Sequence, residues 1–158
     1  MIGRPRELRI TVQKMESTHE RRFDMTKIEV IQLRKSLEAK AIEFENSTRR
    51  RDGILIDPAH DFGKNTRHSL EITRRLGELA DTGWPVVVAL SNKDFIGETL
   101  DAPVDARLSG TLAATTVSAW LGAQVFRAHQ VRETRQVLDM VASIRGDRPP
   151  AVARRGLA

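Results

Sequence analysis

Three short apolar runs along the chain each pass into polar residues at their carboxyl end, and a stretch with helical spacing follows each one. The runs are Ile54-Leu55-Ile56 into Asp57, Val86-Val87-Val88-Ala89-Leu90 into Ser91-Asn92-Lys93, and Val125-Phe126 into Arg127-Ala128-His129. Strand, loop and helix repeated in this order predict a parallel α/β architecture, with strands at 54–57, 86–90 and 125–128 as parallel neighbours and a ligand site beyond their carboxyl ends. A flavodoxin-like doubly wound sheet is the alternative arrangement of the same pattern.

The intervening segments carry helical periods. Val30, Leu33, Leu37, Ala41 and Phe44 place a helix over 26–45, which the Arg49-Arg50-Arg51-Asp52-Gly53 run ends. Ile72, Leu76 and Leu79 form the inner stripe of a second helix, from about Thr66 to Asp81, and Gly83-Trp84-Pro85 turns the chain into the next strand. Residues 94–103 read as a longer loop with room for a helical turn. A helix over 105–121 is rich in small residues (Gly110, Ala113, Ala114, Ser118, Ala119), which suit a close approach to a sheet, and Gly122 stops it. The last helix, 131–144, is expected to bury Thr134, Val137, Leu138, Val141 and Ile144.

Composition narrows this picture without changing it. A chain of 158 residues, 40% hydrophobic and 30% charged, is about one domain with a reasonable core. No run approaches a membrane span and no charged-then-apolar leader opens the chain. With no cysteine, thiolate and disulfide chemistry are excluded and a cytoplasmic location fits. The net charge of +5 lies at the ends: residues 1–22 and 145–158 each carry +3, so the interior nets −1. A basic excess confined to the ends reads as solvated tails, and nucleic acid is not an expected partner. The expected organisation is an irregular basic segment at 1–25, one α/β domain at 26–146 and a mobile tail at 147–158 containing Pro149-Pro150.

The strand ends bring a carboxylate, an amine, a guanidinium and an imidazole toward one place, a mixture that suits a polar heterocycle beside a phosphate group. Asp57 ends a buried strand and needs donors, which ring N–H groups would supply; it equally suits a cap for the loop before Pro58. Lys93 offers a mobile cation or is an ordinary surface lysine. Arg127 and His129 lie two apart, on one side of their strand, able to grip a diphosphate or to close a salt-bridged strand end.

Taken in order, these stretches resemble the C-terminal portion of dihydropteroate synthase. The resemblance runs from Ile54 to the end, about 105 residues. It rests on Ile56-Asp57-Pro58 with Phe62-Gly63-Lys64, on Ser91-x-Lys93 with Phe95-Ile96-Gly97, on Arg107-Leu108-Ser109-Gly110-Thr111-Leu112-Ala113, and on Arg127-x-His129. It implies part of a (β/α)₈ TIM-type barrel, about three βα units with an N-terminal helix. It also implies a transferase of folate biosynthesis that joins p-aminobenzoate to a dihydropterin diphosphate and releases diphosphate with Mg²⁺ as cofactor. Carried over, Asp57 would bind the pterin ring edge and Lys93 its carbonyl side, with Ser91 beside it in the motif. Arg127 and His129 would lie near the diphosphate, Phe62 beside the aminobenzoate, and Lys64 would order the loop. Lys93, Arg127 and His129 are the expected catalytic set.

The chain departs from the family in two ways. Asp61 stands where a second glycine usually precedes Phe-Gly-Lys, and Ser91-Asn92-Lys93-Asp94 replaces Ser-Arg-Lys-Ser, whose last serine receives the aminobenzoate carboxylate. A carboxylate facing a carboxylate repels it, so the aminobenzoate half is expected to be weakened while the pterin half is kept. A closed barrel also takes about 250 residues. The family's N-terminal motifs, including the asparagine loop that coordinates Mg²⁺, have no counterpart in this sequence, so no metal ligand is expected from it. Three parallel strands leave an open edge, for which self-association or a second chain completing the barrel is expected. An active synthase completed in that way, a non-catalytic truncated paralogue that binds pterin diphosphate, and an interaction module are the three readings that follow.

Overall fold

Burial alternates along the apolar runs, and that alternation locates the core. Ile54, Ile56, Val86, Val88 and Leu90 are buried, whereas Leu55, Asp57, Val87 and Ala89 between them are only partly covered. Successive strand side chains point to opposite faces, so one face of the sheet is packed against helices and the other carries the polar strand ends.

The computed structural model describes residues 27–48 and 53–155. The elements in order are α1 (Lys27–Thr48), α2 (Thr66–Arg74), α3 (Leu76–Ala80), β1 (Val87–Val88), α4 (Asp94–Leu100), a 3₁₀ turn (Val104–Ala106), α5 (Leu108–Trp120), β2 (Val125–Phe126) and α6 (Val131–Arg145). β1 and β2 pair in parallel, with Val87 opposite Val125 and Val88 opposite Phe126. On the other side of β1, Ile56 forms a single parallel bridge to Val86. The three runs are therefore parallel neighbours in sequence order, as expected, although regular pairing is shorter than the apolar runs. The first run is one bridge, held by Ile56 N–H to the Pro85 carbonyl (2.9 Å) and Val87 N–H to the Ile56 carbonyl (3.0 Å).

The core joins that one strand face to the helices. Leu76 and Leu79 of α3, Phe95 and Ile96 of α4, Ala41 of α1 and Trp84 pack with the buried strand residues. Leu37 and Phe44 of α1 lie against this cluster, in line with their spacing; the side chain of Val30 and the whole 1–25 segment lie outside the described residues.

Four expectations are corrected. The helix at 66–81 is two helices meeting at Arg75, where the backbone leaves helical geometry (φ −105°, ψ 17°). Thr73 turns its hydroxyl back onto the Ser69 carbonyl at 2.9 Å in the preceding turn, a bond that bends helices. The loop at 94–103 is largely α4, too short for its period to show. The helix expected from 105 starts at Leu108, preceded by the 3₁₀ turn. On α6, Thr134 and Val141 are buried and Val137 and Leu138 half-buried, but Ile144 is 61% exposed.

Among the small residues of α5, Gly110 serves a contact with a helix, while Ala114 packs against the core that holds the strand residues. A Cβ on Gly110 would lie 2.5 Å from Leu100 Cδ1 and 2.6 Å from Ile96 Cγ2, so α5 rests directly on α4. Gly122 ends α5 at φ +101°, and a Cβ there would meet the Ala80 Cβ at 2.8 Å. Both the turn and the packing against α3 require glycine at this position.

Candidate functional site

The loop Asp57–Lys64 is built around its own polar groups. Asp57 Oδ1 accepts the Ala59 N–H at 2.8 Å, so the carboxylate does cap the loop before Pro58. Ala59 and Asp61 both take left-handed backbone angles, φ 55° and 65°. The position that usually carries glycine in the resembled family is thus one where glycine is the unstrained choice. Asp61 is retained there by three bonds: its N–H donates to Ser69 Oγ (3.1 Å), Ser69 Oγ donates to Oδ1 (2.9 Å), and the Phe95 N–H donates to Oδ2 (3.3 Å). The carboxylate ties the first loop to α2 and to the amino end of α4, where a negative charge is favoured.

His60 is buried, stacked on Phe95 at 5.7 Å between ring centroids, with Nε2 3.0 Å from Thr73 Oγ1. Because the Thr73 hydroxyl donates to Ser69, it must accept from His60, which assigns the proton to Nε2. Burial, and then the Lys64 and Lys93 charges, push its pKa down to about 3.

Both lysines point back into the same loop. Lys64 Nζ donates to the Ala59 carbonyl (3.0 Å) and the Phe62 carbonyl (3.1 Å), ordering the loop as expected. Lys93 Nζ donates to the His60 carbonyl at 2.6 Å and stands 4.1 Å from the centroid of the Phe62 ring, so it is not an ordinary surface lysine. Burial lowers the pKa of both amines, against the pull of Asp57 and Asp61. Asp57 is shifted the other way. Burial raises its pKa even though the Ala59 N–H and the charges of Lys93, Lys64 and Arg127 all oppose the shift. A carboxylate that remains poorly solvated among three cations retains an unmet need for donors.

The third strand end completes the group. The Arg127 N–H pairs with the Val88 carbonyl (3.0 Å), extending the parallel register one residue beyond β2. Its guanidinium is close enough to Asp57 and Lys93 to influence both. The His129 N–H donates to Ser91 Oγ at 3.1 Å, and that hydroxyl donates to Gln130 Oε1 at 3.1 Å. Among the described residues neither Arg127 nor His129 is in an ion pair, so no salt-bridged strand end forms. A shallow pocket lies beside Ser91 and Arg127, bounded by Val88, Thr111, Phe126 and Thr134. Asp57, Lys64, Ser91, Lys93, Arg127 and His129 therefore gather at one end of the sheet, with Phe62, 57% exposed, at the rim.

Several contributors carried no role in the sequence reading. Asp61 stood out only as a departure, although an acid in a glycine position that precedes a turn was the available signal. Arg107 and Thr111 lay inside a quoted motif without a task. Gln130 gave no signal. Among the described residues no three Asp, Glu or His side chains are grouped so as to hold a metal ion together.

Comparison with known proteins bears on the family and the fold. The family model described as pterin binding enzyme matches residues 7–129. Over 108 residues the chain is 58% identical to a protein of Mycobacterium leprae named inactive dihydropteroate synthase 2, covering 68% of this chain and 37% of that one. It is 36% identical over 91 residues to the dihydropteroate synthase of Escherichia coli, covering 58% and 32% respectively. The chain thus spans about a third of the length of these relatives. In structure it is similar to a Coxiella burnetii dihydropteroate synthase solved with pteroic acid, with a TM-score of 0.73 and 28% identity over 79% of this chain and 47% of that one. This likeness selects the partial barrel over the doubly wound sheet.

Proposed function

This chain belongs to the dihydropteroate synthase family of pterin-binding enzymes, and we propose that it binds a dihydropterin diphosphate without joining it to p-aminobenzoate. The observation that carries this reading is the ion pair between Arg107 Nη1 and Asp94 Oδ1, 2.9 Å long, at the mouth of the Lys93 loop. It fixes a carboxylate, 81% exposed, where the family presents a serine to the aminobenzoate carboxylate. A second anion brought there meets repulsion, and Arg107 is already engaged.

The pterin half is intact in chemistry. Asp57, undersolvated, accepts N–H donors from the ring edge, Lys93 faces the ring carbonyl, and Phe62 flanks the rim. Arg127 and His129 meet the diphosphate, the guanidinium as a planar fork. Greater identity to the relative named inactive (58%) than to the one named synthase (36%) supports the same reading.

The alternative is a working synthase, and the retained Asp57, Lys93 and Arg127 group favours it. Loss of diphosphate needs little covalent help from the protein, which mainly positions the substrates and stabilises charge developing on the leaving group. In that case a second copy or another chain closes the barrel, with the metal held outside the described residues. Calorimetry with dihydropterin diphosphate, followed by a diphosphate-release assay with p-aminobenzoate, tests the proposal. Binding without release is expected; steady release would establish the alternative. No described helix is long and apolar enough to cross a membrane, and a cytoplasmic role in folate metabolism is the setting this proposal implies.

A further inference from the structure

The Arg107-Leu108-Ser109-Gly110-Thr111 stretch carries none of the residues assigned to the ligand, yet its side chains converge on the loop that bears Lys93. Arg107 is nearly buried, its side chain 12% exposed. Its Nη1 donates to the Asn92 carbonyl (2.9 Å) and to Asp94 Oδ1 (2.9 Å), and its Nε to the Ala102 carbonyl (3.0 Å). One guanidinium thus holds the residues on both sides of Lys93 and anchors them to the chain beyond α4.

Two further features exist to admit it. A Cβ on Gly97 would lie 2.3 Å from the guanidinium carbon, so glycine leaves the space in which Arg107 lies. Thr111 Oγ1 accepts the Asn92 N–H at 3.2 Å. Asn92 is itself left-handed, φ 57°, a conformation that a non-glycine residue keeps only when its surroundings impose it. Here both its N–H and its carbonyl are held, one by Thr111 and the other by Arg107. The turn that Asn92 makes sets the direction in which Lys93 leaves the loop.

We infer that Arg107 is a positioning residue for Lys93, holding the Asn92 carbonyl before it and the Asp94 carboxylate after it so that Nζ is delivered to the site shared with Asp57 and Arg127. The effect on ligand affinity rests on the function proposed above; the effect on Lys93 does not. Without the guanidinium, the Asn92 turn keeps only the Thr111 bond to its N–H, and the Asp94 carboxylate loses its ion pair beside the lysine.

The test uses the full chain with ¹³C-labelled lysine, the Lys93 resonance being assigned by Lys93→Met. Arg107→Lys keeps the charge but loses the fork that spans two acceptors. It should displace the Lys93 resonance while leaving other lysines in place, and weaken dihydropterin diphosphate about tenfold. In the Lys93→Met background the same change should cost no further affinity, because the two residues act as one unit. Asp94→Asn, which removes only the ion pair, should give a smaller displacement and guards against a variant that fails to fold. An unmoved Lys93 resonance in folded Arg107→Lys would overturn the inference, and so would an affinity loss undiminished by Lys93→Met. If the unmodified chain binds no dihydropterin diphosphate, the proposed function fails, while the resonance still decides the role of Arg107.

Discussion

Lys93 reaches across 33 residues of sequence to donate its ammonium to the His60 carbonyl at 2.6 Å. That bond closes the loop after the second strand onto the loop after the first, and the Phe62 ring lies beneath the same nitrogen. A charged donor on a carbonyl is among the stronger hydrogen bonds in a protein. Lys93→Met keeps the apolar stem and deletes the charge, so the loop should loosen without disturbing the core. The expected outcome is a loss of about 1–2 kcal/mol in denaturant unfolding, with faster hydrogen exchange confined to residues 59–64. Unchanged exchange there would show that the loop holds itself.

Asp61 offers a comparison of strain against bonding. Its left-handed backbone disfavours any residue with a Cβ, but its carboxylate accepts from Ser69 and Phe95. Asp61→Gly relieves the strain and loses both side-chain bonds, whereas Asp61→Ala loses the bonds and keeps the strain. Each side-chain bond is worth about 1 kcal/mol, and the left-handed conformation costs about 1 kcal/mol for a residue other than glycine. Unfolding midpoints should therefore fall in the order wild type, Asp61→Gly, Asp61→Ala. An Asp61→Gly variant more stable than wild type would mean that the carboxylate is kept for the ligand alone.

The double change Asn92→Arg with Asp94→Ser restores the residues usual in the family. It removes the exposed carboxylate, leaves Arg107 without its ion pair and adds a second guanidinium. Affinity for p-aminobenzoate, measured by calorimetry on the complex with dihydropterin diphosphate, should rise. If the unmodified chain already binds p-aminobenzoate tightly, the role given to Asp94 is wrong.

Strand order and the polar strand ends were legible in the sequence because burial on one face imposes a period that survives in a single chain. The motif spacing carries the family resemblance in the same way. The contacts between loops were not legible. Nothing in the spacing of Asp61, Ser69 and Phe95 states that they meet, since their contact is created by the way α2 and α4 pack. Arg107 was hidden in the same manner: its partners Asn92, Asp94 and Ala102 are brought to it by the turns at either end of α4. Ile144 shows the opposite failure. It lies at the right interval on α6 but stands past the point where the helix is still covered.

His60 should make the fold sensitive to mild acid. Folded, it stays neutral down to about pH 3, because it is buried and faces two lysine charges. Its Nδ1 is buried without a partner among the described residues. Unfolded, it takes up a proton near pH 6.5. Between those values the unfolded chain binds more protons, so stability is present above pH 6.5 and is lost as the pH falls. From pH 7 to 5 this one residue should remove about 2 kcal/mol. His60→Gln retains a donor for Thr73 and does not titrate, so its unfolding midpoint should fall less over that interval. Parallel curves for the two proteins would exclude His60 as the cause.

Asp57 should display the cost of keeping a site ready for a ligand. Burial raises its pKa in the folded chain, and the Ala59 N–H, Lys93, Lys64 and Arg127 only partly oppose that shift. For an acid whose folded value lies above the unfolded one, the stabilising contribution is present below the unfolded value, near 3.8, and is lost as the pH rises through the folded one. At neutral pH the ionised carboxylate therefore weakens the fold. Asp57→Asn can still accept the Ala59 N–H, but it carries no buried charge. It should melt higher than wild type at pH 7, and the difference should vanish toward pH 4. The same variant cannot offer two acceptor oxygens to a pterin edge and should lose about 1–3 kcal/mol of dihydropterin diphosphate binding. A variant less stable at pH 7 and unchanged in binding would reduce Asp57 to the cap of its own loop.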